Sequence, residues 1–514
     1  MKLNFKEYTN NNGEIILYTG NPNLNKLEQL SLQYGDIWHS SFEQGYKNAF
    51  SDIVYQTVVF FWYVNDFDNL DNCVSWRINP NAFAVRKTVW EQLNGFDPEI
   101  KNLQLQALDF GYNAVRNSGA IPLYTKGLYD STTIEKITIS TKDRYVFYIK
   151  NFKIDHSLFM LYRKGIWKIS EWNAFFYAKK HFKQRAFPNV IKLRALKEIK
   201  GNPTVSYIIP TMLRQDFTLT LLEDLKNQTY RPTQVIVVDA TPSQSRDESL
   251  YKKENYPFEV QFIWQTSVGS CRARNEAINL CTGEFIVFGD DDIRIPSDFI
   301  EKHISLLQTY DAGGCNGLDI RADHQKQDLE DLKVKLKNYK NERWIVGASL
   351  TFSNANSCVR KKYVDQVVGN DINYDGGYGE DSDFGLSLVK EGIMILNNPY
   401  ATNLHLKPPV GGYRFWGTQA KIIGKKRKIQ PWELDTPVKN VRPVPSPTIM
   451  YQIHKHFTPQ QLIEYKNKYF TMYLFKGNKW QLPLKIVKMP YRLIQFKKSV
   501  FYAKKLMELG KRTQ

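Results

Sequence analysis

The 514-residue chain is 42% hydrophobic and 24% charged, which excludes a disordered or low-complexity protein and allows two or three domains, each with its own core. Net charge is +18, and 21 Lys and Arg against 4 Asp and Glu lie between Lys421 and Gln514, so the basicity belongs to one tail. Five cysteines in no CxxC pair argue against a disulfide framework or a zinc site and suit a reducing, cytoplasmic setting.

Met1 to Asn12 is polar and lacks the apolar stretch of a signal peptide. Ile53 to Val64 is the longest strongly apolar run, twelve residues interrupted by Gln56. A membrane-crossing helix needs about twenty, so the run predicts a core strand and no transmembrane segment is expected. Asp66-Phe67-Asp68 follows it and is read as a loop without catalytic use.

Val85 to Asp97 (VRKTVWEQLNGFD) is echoed by Val359 to Asp371 (VRKKYVDQVVGND), with six identities in thirteen positions. Downstream of each lies a helical stretch containing Asp-Phe-Gly, at Asp109 to Gly111 and at Asp383 to Gly385. Order and spacing together predict a duplicated half-domain. Only 85 residues precede Arg86, whereas 156 separate Thr204 from Arg360, so the first copy, residues 1–141, is expected to be incomplete and catalytically silent. Residues 142–202, rich in Lys and aromatics, predict a helical connector.

Within 203–420 short apolar runs alternate with amphipathic stretches, as in an α/β domain with a mainly parallel sheet. Strands are predicted at Val205 to Ile209 (stopped at Pro210), Gln234 to Val238, Val260 to Trp264 and from Phe285. Helices are predicted near Asp216 to Asn227, Cys271 to Leu280 and Ser297 to Gln308. Ligands in such sheets gather at the carboxyl ends of strands, where Thr211, Asp239 and the triplet Asp290-Asp291-Asp292 fall. Three adjacent carboxylates repel one another and suit a hard divalent cation; the triplet also reads as a solvated acidic loop before a helix.

After Leu406 come Pro408, Pro409, Gly411 and Gly412, the basic run Lys425 to Lys428 and a proline-rich stretch to Pro447, read as an extended crossing segment. The tail, 421–514, predicts helices at Pro459 to Phe470 and Leu484 to Leu509 with a break at Pro490. In the last of these, lysines and Arg492 interleave with Leu484, Val487, Tyr491, Ile494, Phe501 and Leu506. Such a stretch suits an anionic membrane surface, and equally a solvated face of a helix packed on the catalytic unit. No nucleic-acid module accompanies it, so no nucleic acid is expected.

In order, Ile209-Pro210-Thr211, Val237-Val238-Asp239, Ala273-Arg274-Asn275, Gly283-Glu284 leading to Asp290-Asp291-Asp292, Gly379-Glu380-Asp381 and His405 resemble glycosyltransferase family 2. That family is inverting and uses nucleotide-diphosphate sugars. The resemblance covers roughly residues 203–407, more weakly 80–125. It implies an α/β fold of GT-A type, with a Rossmann-like mainly parallel sheet. An incomplete GT-A-like unit precedes that sheet and a basic helical tail follows it.

It further implies that Pro210, Thr211, Arg214 and Asp239 frame the nucleotide of a donor, UDP-sugar favoured, with Arg274, Asn275, Asp290 and Asp291. Asp292, Asp290 and His405 would hold Mg2+ or Mn2+, although a structural role for His405 fits as well. Asp381, beside Glu380, would be the base that takes the acceptor proton, as in-line inversion requires. Tyr378, Gly377 and Trp416 are candidate contacts to a saccharide or lipid-linked acceptor.

The QxxRW motif and membrane spans of processive synthases are absent. A one-step hexosyltransferase of surface polysaccharide synthesis is expected, cytoplasmic or peripheral on the inner face of the cell membrane. The competing reading is a non-catalytic glycan- or nucleotide-binding scaffold.

Overall fold

Apolar runs bounded by turn residues become two separate sheets in a computed structural model, which describes residues 3–131, 137–186, 190–252, 255–339, 345–413 and 429–514. The chain divides into two units. The first comprises Met1–Leu193, Trp344–Ala348 and Pro459–Gly477. Its strands are β1 (Lys6–Thr9), β2 (Ile15–Tyr18), β3 (Ile37–His39), β4 (Asn72–Val74), β5 (Phe83–Arg86) and β6 (Pro122–Thr125), in the order β1-β2-β5-β3-β6-β4. Residues 142–193 supply this unit with the helices Thr141–Asn151, Ile154–Lys164 and Ile169–His181.

The run expected as a strand at Ile53 to Val64 is instead the helix Ser51–Phe60, followed by a 3-10 turn at Trp62–Val64. Ile53, Val54, Gln56, Thr57, Val58 and Val59 are all buried. A segment buried all round shows neither a two-residue nor a 3.6-residue alternation, and β-branched content misleads where packing overrides propensity. The buried Gln56 explains the polar interruption: its amide donates to the His156 carbonyl at 2.9 Å and accepts from Arg163 at 3.0 Å. Asp66 and Asp68 pair with Arg77, at 2.6 and 3.3 Å, so the first acidic loop is neutralised by a side chain.

The second unit comprises Arg194–Arg343, Ser349–Thr458 and Asn478–Gln514. Its strands are β7 (Val205–Thr211), β8 (Gln234–Asp239), β9 (Glu259–Trp264), β10 (Phe285–Gly289), β11 (Ile293–Arg294), β12 (Gly314–Arg321), β13 (Asn356–Arg360) and β14 (Ile395–His405). They line up as β11-β14-β12-β13-β10-β7-β8-β9. Strands β9, β8, β7 and β10 run parallel, and β13 reverses against β10. This is the α/β architecture with a mainly parallel sheet that the resemblance implies.

Strand β7 runs through Pro210 to Thr211 rather than stopping at the proline. Pairing with β10 ends at Ile208, and Pro210 pairs only with Val238 of β8, so its missing N–H costs the sheet little. The helices Gln215–Lys226, Ser270–Leu280 and Phe299–Tyr310 lie within a residue or two of their predicted spans.

Tail residues 429–458 and 478–514 belong to this second unit, while Pro459–Gly477 belongs to the first. The helix predicted at Leu484 to Leu509 is two, Leu482–Val487 and Met489–Leu509, broken beside Pro490 as expected. Among the described residues no helix is long and apolar enough to cross a membrane.

Candidate active site

Strand register brings the first polar groups together. Thr211 and Asp239 are partners at the ends of β7 and β8, and β10 ends at Gly289, which hands the chain to Asp290-Asp291-Asp292. A Cβ on Gly289 would stand 2.3 Å from the Tyr207 hydroxyl oxygen, so only glycine lets the triplet emerge there.

Each carboxylate of the triplet has a separate partner. Asp290 accepts from Arg274 Nη2 at 2.7 Å. Asp291 accepts from the Thr211 hydroxyl at 2.7 Å and from Arg214 Nη1 at 3.1 Å. Asp292 accepts from the same Arg214 nitrogen at 2.9 Å, and its other oxygen lies 3.3 Å from His405 Nε2. Burial and the neighbouring Asp292 charge push the Asp291 carboxyl up. Burial pushes the Asp292 carboxyl up, but the His405 contact and the Arg214 charge together hold it below its ordinary range.

Ligand atoms of Asp290, Asp292 and His405 lie within 4.8 Å of one another. Two carboxylates and an imidazole within that span could hold a divalent cation. The imidazole is aimed by Asp319, a residue of β12 not anticipated from sequence, whose carboxylate meets His405 Nδ1 at 3.1 Å. A carboxylate behind a histidine in this way fixes the ring for metal binding. Burial alone would lower the His405 pKa, but Asp292 and Asp319 raise it to about 10; a proton and a divalent cation compete for the same place.

Arg274, on the helix Ser270–Leu280, is the second organising charge. It is 5% exposed, and its Nε is buried without a hydrogen-bond partner among the described residues. A buried donor in this position fits an anionic oxygen of a ligand. Burial opposes its charge, yet the carboxylates of Asp290, then Asp381, then Glu380 raise its pKa. The triplet and the Glu380-Asp381 pair therefore act on one guanidinium.

Glu380 and Asp381 open the helix Glu380–Lys390, after Gly379 in a left-handed conformation (φ 106°). Asn354 donates to Asp381 Oδ1 and so orients the carboxylate. Asp375, also unanticipated, accepts from the Cys271 backbone N–H at 2.7 Å and caps the Arg274 helix; burial raises its pKa to about 6.

Asp239 accepts from the Thr241 N–H and the Tyr251 hydroxyl, both at 2.8 Å. Residues 408–411 lie over Arg214, whose guanidinium donates to the Val410 carbonyl at 3.1 Å. Tyr413 is held near Val238, its hydroxyl 3.4 Å from that carbonyl, and burial followed by the Asp291 charge pushes its phenol up.

The Asn275 carboxamide is used by the Asn370 N–H and carbonyl and by the Thr513 carbonyl, which makes it a packing group. Gly377 packs on Thr448, where a Cβ would meet Cγ2 at 2.4 Å. Tyr378 is 37% exposed. Trp416 and the run Lys425 to Lys428 lie outside the described residues.

Residues 206–368 match the model of the family described as glycosyl transferase family 2. Two curated proteins similar to this chain are the uncharacterized glycosyltransferase YibD of Escherichia coli (strain K12), 30% identical over 115 residues, and the amylovoran biosynthesis glycosyltransferase AmsB of Erwinia amylovora, 26% identical over 112. The matches cover 22% and 21% of this chain and 33% and 37% of those proteins, so the chain spans about a third of their length. A solved structure, mannosyltransferase PcManGT from Pyrobaculum calidifontis in complex with GDP-Man and Mn2+, is 18% identical with a TM-score of 0.35, covering 60% of this chain and 87% of that one.

Proposed function

We propose, from the match of residues 206–368 to the glycosyl transferase family 2 model, that the protein is a metal-dependent, inverting hexosyltransferase. On this reading it moves a sugar from a nucleotide diphosphate, UDP favoured, to a hydroxyl of a saccharide or lipid-linked saccharide. The observation that carries the reading is Arg274, bonded to Asp290 and raised by the charges of Asp381 and Glu380. It ties a cation-binding cluster to a candidate base, the two halves such a reaction needs.

Asp290, Asp292 and His405 would hold Mg2+ or Mn2+, which when bound offsets the charge that grows on a departing diphosphate. Thr211 and Arg214 fix Asp291 and so set the triplet's shape. Asp239, steadied by Tyr251 and Thr241, has the acceptor character to read a base N–H. Arg274 offers its buried Nε to a donor oxygen. Asp381, turned by Asn354, takes the proton of the acceptor hydroxyl as the new bond forms, a contribution of about 10²–10⁴ in rate. The likeness to a biosynthetic glycosyltransferase of amylovoran supports a place in surface polysaccharide synthesis. The sparse, unpaired cysteines support a cytoplasmic location.

Thermal unfolding with nucleotide sugars tests the reading. The melting temperature should rise with a UDP-sugar plus Mn2+ or Mg2+, and Asp292→Ala should abolish that rise. A rise that ignores the metal in both proteins would overturn metal dependence. No rise with any nucleotide sugar would overturn the donor assignment and favour a scaffold.

A further inference from the structure

We propose that the outward side of residues 479–509 is a docking surface for a lipid bilayer rich in anionic headgroups. The helix Met489–Leu509 already has an inward partner. Phe496, Ser499, Tyr502, Ala503 and Leu506 are buried, the Tyr502 ring lies 5.0 Å from that of Trp432, and the same helix packs along the helix Pro447–His456. A polar outer side would be enough to complete such a helix.

The outer side instead carries large apolar residues among exposed lysines. Trp480 is 91% exposed, Val487 77%, Leu484 53%, Tyr491 49%, Ile494 48% and Phe501 47%. Leu484 and Val487 share a face of the helix Leu482–Val487, and Tyr491, Ile494 and Phe501 a face of Met489–Leu509, at three- and seven-residue spacings. Single exposed apolar residues are ordinary, but a run of large ones marks an interaction surface. A tryptophan and a tyrosine at its start are the side chains that settle at a membrane–water boundary.

Charge selects the occupant. Residues 479–509 hold eight Lys and Arg and one acidic residue, Glu508. Two copies of this surface would bring like charges together, whereas anionic headgroups complement them. With no helix long and apolar enough to cross among the described residues, the segment lies on the bilayer: the apolar residues enter the headgroup boundary and the lysines reach the phosphates.

Co-sedimentation of the full chain with phosphatidylcholine vesicles, with and without phosphatidylglycerol, is the test, and it needs no nucleotide, so its outcome is separate from that of donor binding. The protein should pellet only with phosphatidylglycerol, and less as salt rises. The exposed double variants Trp480→Ser/Val487→Ser and Lys488→Glu/Lys497→Glu should each weaken recovery by about tenfold or more while keeping the parent's melting temperature. Equal recovery on both vesicles, recovery on neither, or variants that pellet like the parent would overturn the proposal. So would a concentration-dependent dimer that the Trp480→Ser/Val487→Ser pair dissolves, since a second copy would then cover the apolar residues.

Discussion

In the first unit β5 enters the helix Lys87–Gln92 at Arg86, and in the second β13 enters the helix Lys361–Gln366 at Arg360. Both helices end in consecutive left-handed residues, Asn94-Gly95 and Val368-Gly369. Each repeat then closes on a shared cation. Arg185 bonds Asp97 and, at 2.7 Å, Asp109; Lys455 lies 3.2 Å from Asp371 and 2.8 Å from Asp383. The flanking strands agree as well, since β3 pairs antiparallel with β5 and parallel with β6 just as β12 does with β13 and β14.

The two units part where chemistry would sit. Strand β10, antiparallel to β13, delivers the aspartate triplet, whereas β2, antiparallel to β5, is followed by Thr19-Gly20 and belongs to a hairpin with β1. Counting from the shared Asp-Phe-Gly, Asp381 and Glu380 correspond to Ala107 and Gln106. Backbone pattern and reactive groups vary independently on one fold.

The sharpest way to break this comparison is the base. Asp381→Asn should lower sugar transfer by about 10²–10⁴ with donor-induced stabilisation intact, and Asp109→Asn in the first unit should leave transfer per folded molecule unchanged. Comparable losses from both would mean the first unit takes part in the reaction.

The shared cations give a smaller, oppositely signed contrast. Despite burial, His456 and Lys455 hold the Asp383 carboxyl down at about 2. Its contribution is therefore present above the ordinary carboxylate range near 4 and lost as pH falls toward 2, roughly 2 kcal/mol. Burial raises Asp109, so its contribution runs the other way, favouring the fold at low pH and fading as pH rises. Urea unfolding across an acid series should show Asp383→Asn flattening the acid loss and Asp109→Asn steepening it; the same slope change in both would sink the contrast.

The smallest effects lie at the matching turns. Gly95→Ala and Gly369→Ala should each cost about 1 kcal/mol or more in urea unfolding, both glycines having positive φ. Only Gly369→Ala should also weaken donor binding. Its Cβ would stand 2.6 Å from the Asn275 side chain on the Arg274 helix, whereas that of Gly95 meets Trp90.

How much of this was legible follows from sequence distance. Strands β7 to β10 and the triplet could be read because each apolar run and the polar group at its end are adjacent in the chain. Asp319, Asn354 and Asp375 escaped notice because their partners, His405, Asp381 and Cys271, lie 86, 27 and 104 residues away and nothing local marks them. Asn275 sits in the same motif as Arg274, but its carboxamide bonds Asn370 and Thr513, partners that lie far along the chain. The helix Ser51–Phe60 was misread because burial of Ile53, Val54 and Gln56 through Val59 leaves little periodicity to read.

The carboxamide of Asn275 takes on a further meaning beside the basic helix. It bonds the carbonyl of Thr513, four residues past Leu509, while the Gly510 carbonyl accepts from Asn373 at 2.7 Å. The far end of that helix is thus latched to the element that presents Arg274. If that helix lies on a membrane, this latch is the point at which a pull along the helix would first reach the element that presents Arg274.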